Sequence, residues 1–365
     1  MTFVSTRVSR SAAILCAGML AMAANADMRP LDDGELAAVS GQGLINIDAL
    51  TYGGFEFTRV NIGGDIKLLS NIDKLRLGTY ARSGGGTVST QGSDIAIDNF
   101  ALGRVDNAGN AGATIVPFEI QDPYLEFAFK NNGNGKREVA GIRVGFGRAR
   151  GDLSGDVLSA TGHIDGFIHG PGSVAAAAYN AATAGNCDFQ CGLNKFQLSL
   201  ASNAELTGHV QLIKAGTGEL TQNGEPINRA VQIGIAKDDS FQTTDPLLSG
   251  LLPLLSKQNG NCTAVGVQAC FDLQNYKSFF VGDPTDSNLV TGGARGAFIS
   301  LQGQTVPWQD LGNSGKIVNA QSGAFLNFAQ YKNAQNKDVY PIVLSLLNAL
   351  QGTPRVDTCV GGKGC

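Results

Sequence analysis

The chain has 365 residues, a formal charge of −4 at pH 7, 49 glycines, seven cysteines and a single tryptophan. An acidic excess this mild excludes an electrostatic footprint for nucleic acid and a polybasic patch for anionic lipid. The length is sufficient for one large core or two.

In chain order, residues 1–26 predict an export signal. Arg7 and Arg10 form a basic start, Ser11 to Ala23 an apolar run too short to span a bilayer, and Ala24-Asn25-Ala26 a small-x-small cleavage site before Asp27. Cys16 lies inside the apolar run behind Leu15, where a lipoprotein signal requires a small residue. Removing the signal leaves 339 residues with 25 basic and 31 acidic side chains, a charge of −6. The expected location is therefore exported: periplasm, outer-membrane-associated or cell surface.

Residues 27–43, which include "MRPLDDGELAAVSGQG" (28–43), read as a short helical motif. Asp32 to Val39 is helix-compatible, Leu31, Leu36 and Val39 are apolar, and Gly41 ends the run. Two roles compete for Leu31, Glu35, Leu36, Val39, Gly41 and Gln42: a structural cap on the first strand, or a segment read by a partner. The stretch also resembles double-glycine leaders, but Gln42 stands where the second glycine belongs.

From residue 44 the pattern has period two. Ile45 and Ile47 alternate with Asn46 and Asp48, Phe55 and Phe57 flank Glu56, and the alternation continues through "DIAIDNF" (94–100), "YLEFAFK" (124–130), "AGIRVGFG" (140–147) and "TGHIDGFI" (161–168). Alternation predicts strands with one face on a core and the other in water. Turn formers at 53–54, 63–64, 106–112 and 131–135 separate them. Residues 44–235 are read as a β-rich domain with an Ala-rich helical insertion near 173–185, opening on Ser173 and stopping at Gly185.

Residues 236–365 are read as a C-terminal β-rich region containing a Leu-rich helix. Asp245 is its N-cap and Pro246 its first residue. A buried connector is the expected role, with a lipid- or partner-facing helix as the alternative. "PIVLSLLNALQG" (341–352) fits either a third helix or a buried strand followed by a loop. No apolar run after the signal reaches the roughly 20 residues that span a membrane.

The six cysteines beyond the signal fall in three close pairs, Cys187 with Cys191, Cys262 with Cys270 and Cys359 with Cys365. In an oxidising compartment this predicts local disulfides. Zinc usually takes C-x2-C knuckles, which these spacings do not match. The three histidines, His163, His169 and His209, read as strand residues at a solvated edge or hydrogen-bonded in the core. A metal on His163 and His209 is the alternative. No metal or cofactor site is predicted.

Catalytic signatures are missing. There is no G-x-S-x-G, no H-E-x-x-H and no phosphate loop around Lys136, Lys316 or Lys363. The acidic stretch "GDPTDSN" (282–288) lacks the ladder of a calcium loop. The fold expectation is all-β: many short antiparallel strands, as a sandwich or elongated sheet system, with a few short helices and disulfide staples.

The start of the exported chain, "PLDDGELAAVSGQG" (30–43), resembles the L-x-x-x-E-L-x-x-V-x-G-Q opening of a group of exported Gram-negative envelope proteins, some described as pilus-system or surface-filament proteins. The stretch 117–165, "PFEIQDPYLEFAFK" onward, resembles the central block of that group, and "PRVDTCVGGKGC" (354–365) its C-terminal signature. The resemblance implies a non-enzymatic protein acting in binding or assembly. Its partners would be envelope or surface proteins, pilus or fimbrial components among them, with peripheral outer-membrane contact. An outer-membrane β protein and a secreted hydrolase are the competing classes. The hydrolase predicts a deep pocket with a perturbed titratable pair, and the binding protein predicts exposed apolar patches or sheet edges.

Overall fold

The computed structural model describes residues 45–81, 86–87, 92–185, 187–222, 224–333 and 335–359, residues 86–87 by backbone alone. The export signal and the 27–43 motif, with Leu31, Glu35, Leu36, Val39, Gly41 and Gln42, lie outside the described residues. Among the described residues the fold is all-β, with five short α-helices.

The principal strands are β1 (Ile45–Tyr52), β2 (Phe55–Ile62), β3 (Asp65–Leu68), β4 (Ser70–Thr79), β5 (Ser93–Leu102), β6 (Phe118–Asn131), β7 (Arg137–Ser159), β8 (Gly162–Ile164) and β9 (Gly166–Pro171). Helices α1 (Gly172–Ala182) and α2 (Phe189–Leu200) follow, then β10 (Glu205–Ile213), α3 (Leu252–Leu255), β11 (Ser278–Val281) and α4 (Leu289–Gly292). The chain continues with β12 (Phe298–Gln302), β13 (Val306–Gln309), β14 (Ile317–Ala320), β15 (Gly323–Phe328), β16 (Ile342–Ser345) and α5 (Leu346–Gln351).

One strand organises the whole. The 23 residues of β7 belong to two sheets in succession. Its first part, to Arg150, pairs with β6 on one side and β12 on the other. Sheet 1 runs β1-β2-β6-β7-β12-β15-β8, with β3 alongside the start of β6. From Gly151 onward β7 pairs with β11 and β5, and sheet 2 runs β4-β5-β7-β11-β16-β9-β10. Within these sheets β8–β15 and β9–β16 pair parallel, and the remaining pairs are antiparallel. Gly155 marks a break in register between Ser154 and Asp156. Its φ of +157° and the nearness of Ile97 favour glycine at this irregularity.

Strands from 45–235 and from 236–359 interleave in both sheets, and the described residues form one compact unit. The two stretches read from the sequence are thus parts of one body. The main core gathers Ile95, Ile97 and Val157 of sheet 2 with Leu206, Val210, Phe271 and Leu326.

The helices depart from expectation at their ends. α1 begins one residue early, at Gly172, and ends at Ala182 instead of Gly185. Pro171, still part of β9, occupies the cap position, and Ser173 makes no capping bond. Thr183 closes the helix by donating its hydroxyl to Tyr179 O at 2.7 Å. Asp245 does accept from the amides of Leu247 and Leu248, at 2.9 and 3.2 Å. Regular helix is nevertheless confined to Leu252–Leu255. In the 341–352 stretch strand and helix both form: β16 passes into α5, where Ser345 Oγ accepts from Asn348 N at 3.1 Å.

Candidate functional site

The covered face of sheet 1 buries Phe55 and Phe57, as the alternation predicts, but buries a charged row beside them. In register, Phe57, Ala128, Gly141 and Gln302 form one row, and Arg59, Glu126, Arg143 and Ser300 the next. This is the buried face, although it carries the charges. Glu126 and Arg143 have no exposed side-chain surface and pair directly. Arg143 also donates through Nη1 to Gln309 O at 2.9 Å. Its guanidinium lies 4.9 Å from the rings of Phe298 and Trp308 and 5.2 Å from Tyr124.

The hairpin β13–β14 covers this face and brings in Val306, Trp308, Val318 and Ala320. Phe57 packs edge-on to Trp308, with ring centroids 5.6 Å apart. Small residues allow the approach: a Cβ on Gly145 would overlap the Tyr124 hydroxyl and sit 2.8 Å from Ala297 O. Burial pushes the Tyr52 and Tyr124 hydroxyls up to about 12.

The opposite face is apolar and open. Ile47, Val60, Leu125, Val144, Ile299 and Leu326 pair in register across six strands, with Thr58, Phe127, Ile142, Leu301 and Ala324 in the adjoining row. The β12–β15 end of these rows packs inward. Toward β1 the face opens, with Ile47 64 %, Val144 49 % and Val139 55 % exposed. The expectation that Ile45 and Ile47 pack on a core is therefore corrected. Both are exposed, because the covering hairpin lies on the other face of the sheet. A contiguous outward apolar surface of this kind marks an interaction site.

A second apolar surface lies on the helices. Phe189, Leu193, Phe196 and Leu200 recur at intervals of four, three and four along α2 and are all exposed. In the Leu-rich segment Leu252 is buried, while Leu247 is 89 % exposed and Leu251, Leu254 and Leu255 are exposed as well. The expected buried connector is thus anchored by Leu248, Leu252 and Ser256, and its other leucines face out.

Two of the expected disulfides are present, Cys187–Cys191 and Cys262–Cys270, with Cα–Cα distances of 5.2 and 5.1 Å. The first ties down the start of α2, where Asp188 also accepts from Cys191 N at 2.8 Å. Cys359 is in disulfide linkage, and its expected partner Cys365 lies outside the described residues.

The histidines stand apart in role. His163 is exposed on β8 and packs edge-on against Phe325, His169 meets Glu205 at 3.1 Å, and His209 meets Asp165 at 3.1 Å and Gln211 at 3.2 Å. Among the described residues no group of three or more His, Cys, Asp or Glu is placed to hold a metal ion. Each described carboxylate with a resolved shift is held below its ordinary range by hydrogen bonding: Asp106 by Arg104, Asp156 by Lys277, Glu219 by Lys214, Asp238 by Lys257 and Asp286 by the Thr291 hydroxyl. No helix among the described residues is long and apolar enough to cross a membrane. No family model, curated protein or solved structure matches the chain.

Proposed function

We propose that this chain is an exported, non-enzymatic protein of the Gram-negative cell envelope that acts by binding or assembly. Its partners are envelope or surface proteins, with pilus components among them. The observation that carries this reading is the exposed apolar face of sheet 1. A sheet that buries an Arg–Glu pair under a tryptophan and turns Ile47, Val139, Ile142 and Val144 outward leaves much apolar surface in water. That exposure is unfavourable by about 25 cal/mol per Å² until something covers it. An apolar outward face is also what a lipid-facing sheet carries. Peripheral contact with the outer membrane is accordingly the second reading.

The test compares the native chain with the Ile142→Asp/Val144→Asp double variant in cells fractionated into periplasm, outer membrane and medium, with protease accessibility and crosslinking. The expected result is a native chain processed at Asp27 and crosslinked within the envelope. The double variant should be folded but released in uncomplexed form. An unprocessed cytoplasmic chain, or a variant distributed and crosslinked like the native protein, would overturn the proposal.

A further inference from the structure

We infer that the space between the two sheets is a binding site for a linear hydrocarbon chain, the tail of a fatty acid or of a lipid. Between β4–β5 and the C-terminal part of β7 on one side, and β12–β15 on the other, lies a cavity of about 130 Å³. Its wall is made of apolar side chains, among them Leu75, Phe100, Leu153, Ile164, Ile299 and Phe328. All six point between the sheets, yet each is only partly buried. Well-packed interiors hold few voids larger than one water, so these residues retain surface because the slot is open.

Water is a poor occupant. The polar side chain at the wall, Ser159, already donates to Ser93 O at 2.9 Å, and a water needs two to four polar partners. An apolar cavity of about 150 Å³ stays dry and takes benzene, so this one suits a hydrocarbon segment of roughly six carbons. The rest of a longer chain would extend toward a neighbouring groove. Along the same strand faces, two residues beyond Ile299 and four beyond Leu75, Leu301 and Thr79 line an open groove of about 570 Å³ with Val139, Ile142 and Tyr80. A chain with its tail in the cavity would lie on this edge of sheet 1, its polar end in water. This site stands on the cavity and does not depend on where the protein resides.

The test titrates the purified full-length exported chain with 11-(dansylamino)undecanoic acid and displaces the probe with dodecanoate. One saturable site, emptied by dodecanoate and not by butyrate, is the expected result. Filling the cavity by Leu153→Phe or Ile164→Phe should weaken binding at least tenfold without lowering the melting temperature. Should a filled variant unfold, the thermal shift of the native chain decides: dodecanoate must raise its melting temperature, since a ligand that binds only the folded state stabilises it. Displacement by phosphatidylethanolamine vesicles would identify a membrane lipid as the source of the chain, and displacement by free acid alone a fatty acid. Absence of saturable binding overturns the inference. So does unchanged binding by the filled variants combined with loss in Ile142→Asp, which would put the probe on the outer face alone.

Discussion

Removing Glu126 while keeping Arg143 tests which face of sheet 1 is buried. In Glu126→Leu the guanidinium stays in a fully buried position with one carbonyl, Gln309 O, and three aromatic rings as its surroundings. Breaking a buried pair from one side costs about 3–5 kcal/mol, of which cation–π contacts recover about 1–2. The net loss should be about 1–4 kcal/mol. Arg143→Met, which strands the carboxylate, should cost about 3–5 kcal/mol, since no ring stabilises an anion there. The double variant Glu126→Leu/Arg143→Met removes both charges into the space under Trp308. It should return to within about 1 kcal/mol of the native protein or exceed it. Urea unfolding reads this directly, because Trp308 is the single tryptophan and is fully buried. Ile142→Asp and Val144→Asp, on the outward face, should shift stability by only about 0.5 kcal/mol. If both single core variants cost under about 1 kcal/mol, as exposed pairs do, while Ile142→Asp costs several, the sheet is buried on the other face and the functional reading falls with it.

Alkaline titration should unfold the protein late. The Tyr52 and Tyr124 hydroxyls are pushed up to about 12 by burial and Tyr276 is raised further. Their contribution is complete below about pH 10, the unfolded tyrosine value, and is lost as pH rises toward 12. Tyrosinate absorbance should therefore appear in two stages, the second coincident with loss of the β signal. A single stage near pH 10 with the fold intact would contradict their burial. On the acid side, hydrogen bonds from Lys277 and Asn99 hold Asp156 low. The stability it adds is present above about pH 4 and lost below it, so melts of Asp156→Asn should lack that part of the acid transition. Reduction should lower the melting temperature modestly with the far-UV signal retained, because loops as small as 187–191 and 262–270 are each worth about 2–3 kcal/mol. Non-reducing peptide mapping should add Cys359–Cys365, and a crosslink from Cys359 to any other cysteine would break the local scheme.

Much of this architecture is legible in residue order. Alternation in "YLEFAFK" and "AGIRVGFG" identifies strands because side chains on extended backbone switch sides at every residue. The close cysteine pairs predict the two described disulfides because short separations hold their Cα atoms within bonding range. Ser345 and the leucines after it mark a capped helix by local chemistry alone. Which face of a strand is covered is a different kind of fact. Period two divides Leu125, Phe127 and Phe129 from Tyr124, Glu126 and Ala128 and says nothing of what lies above either set. That was decided by a hairpin 180 residues further along the chain. It lays Trp308 over Gly141 and supplies aromatic partners for Arg143, so the charged face is the one buried. The cavity between the sheets is equally invisible in sequence, since it exists only where β7 passes from one sheet into the other beyond Arg150. Local spacing sets the strands, turns and staples. Burial, polarity and the binding surfaces arise from contacts between residues far apart in the chain, which no local pattern encodes.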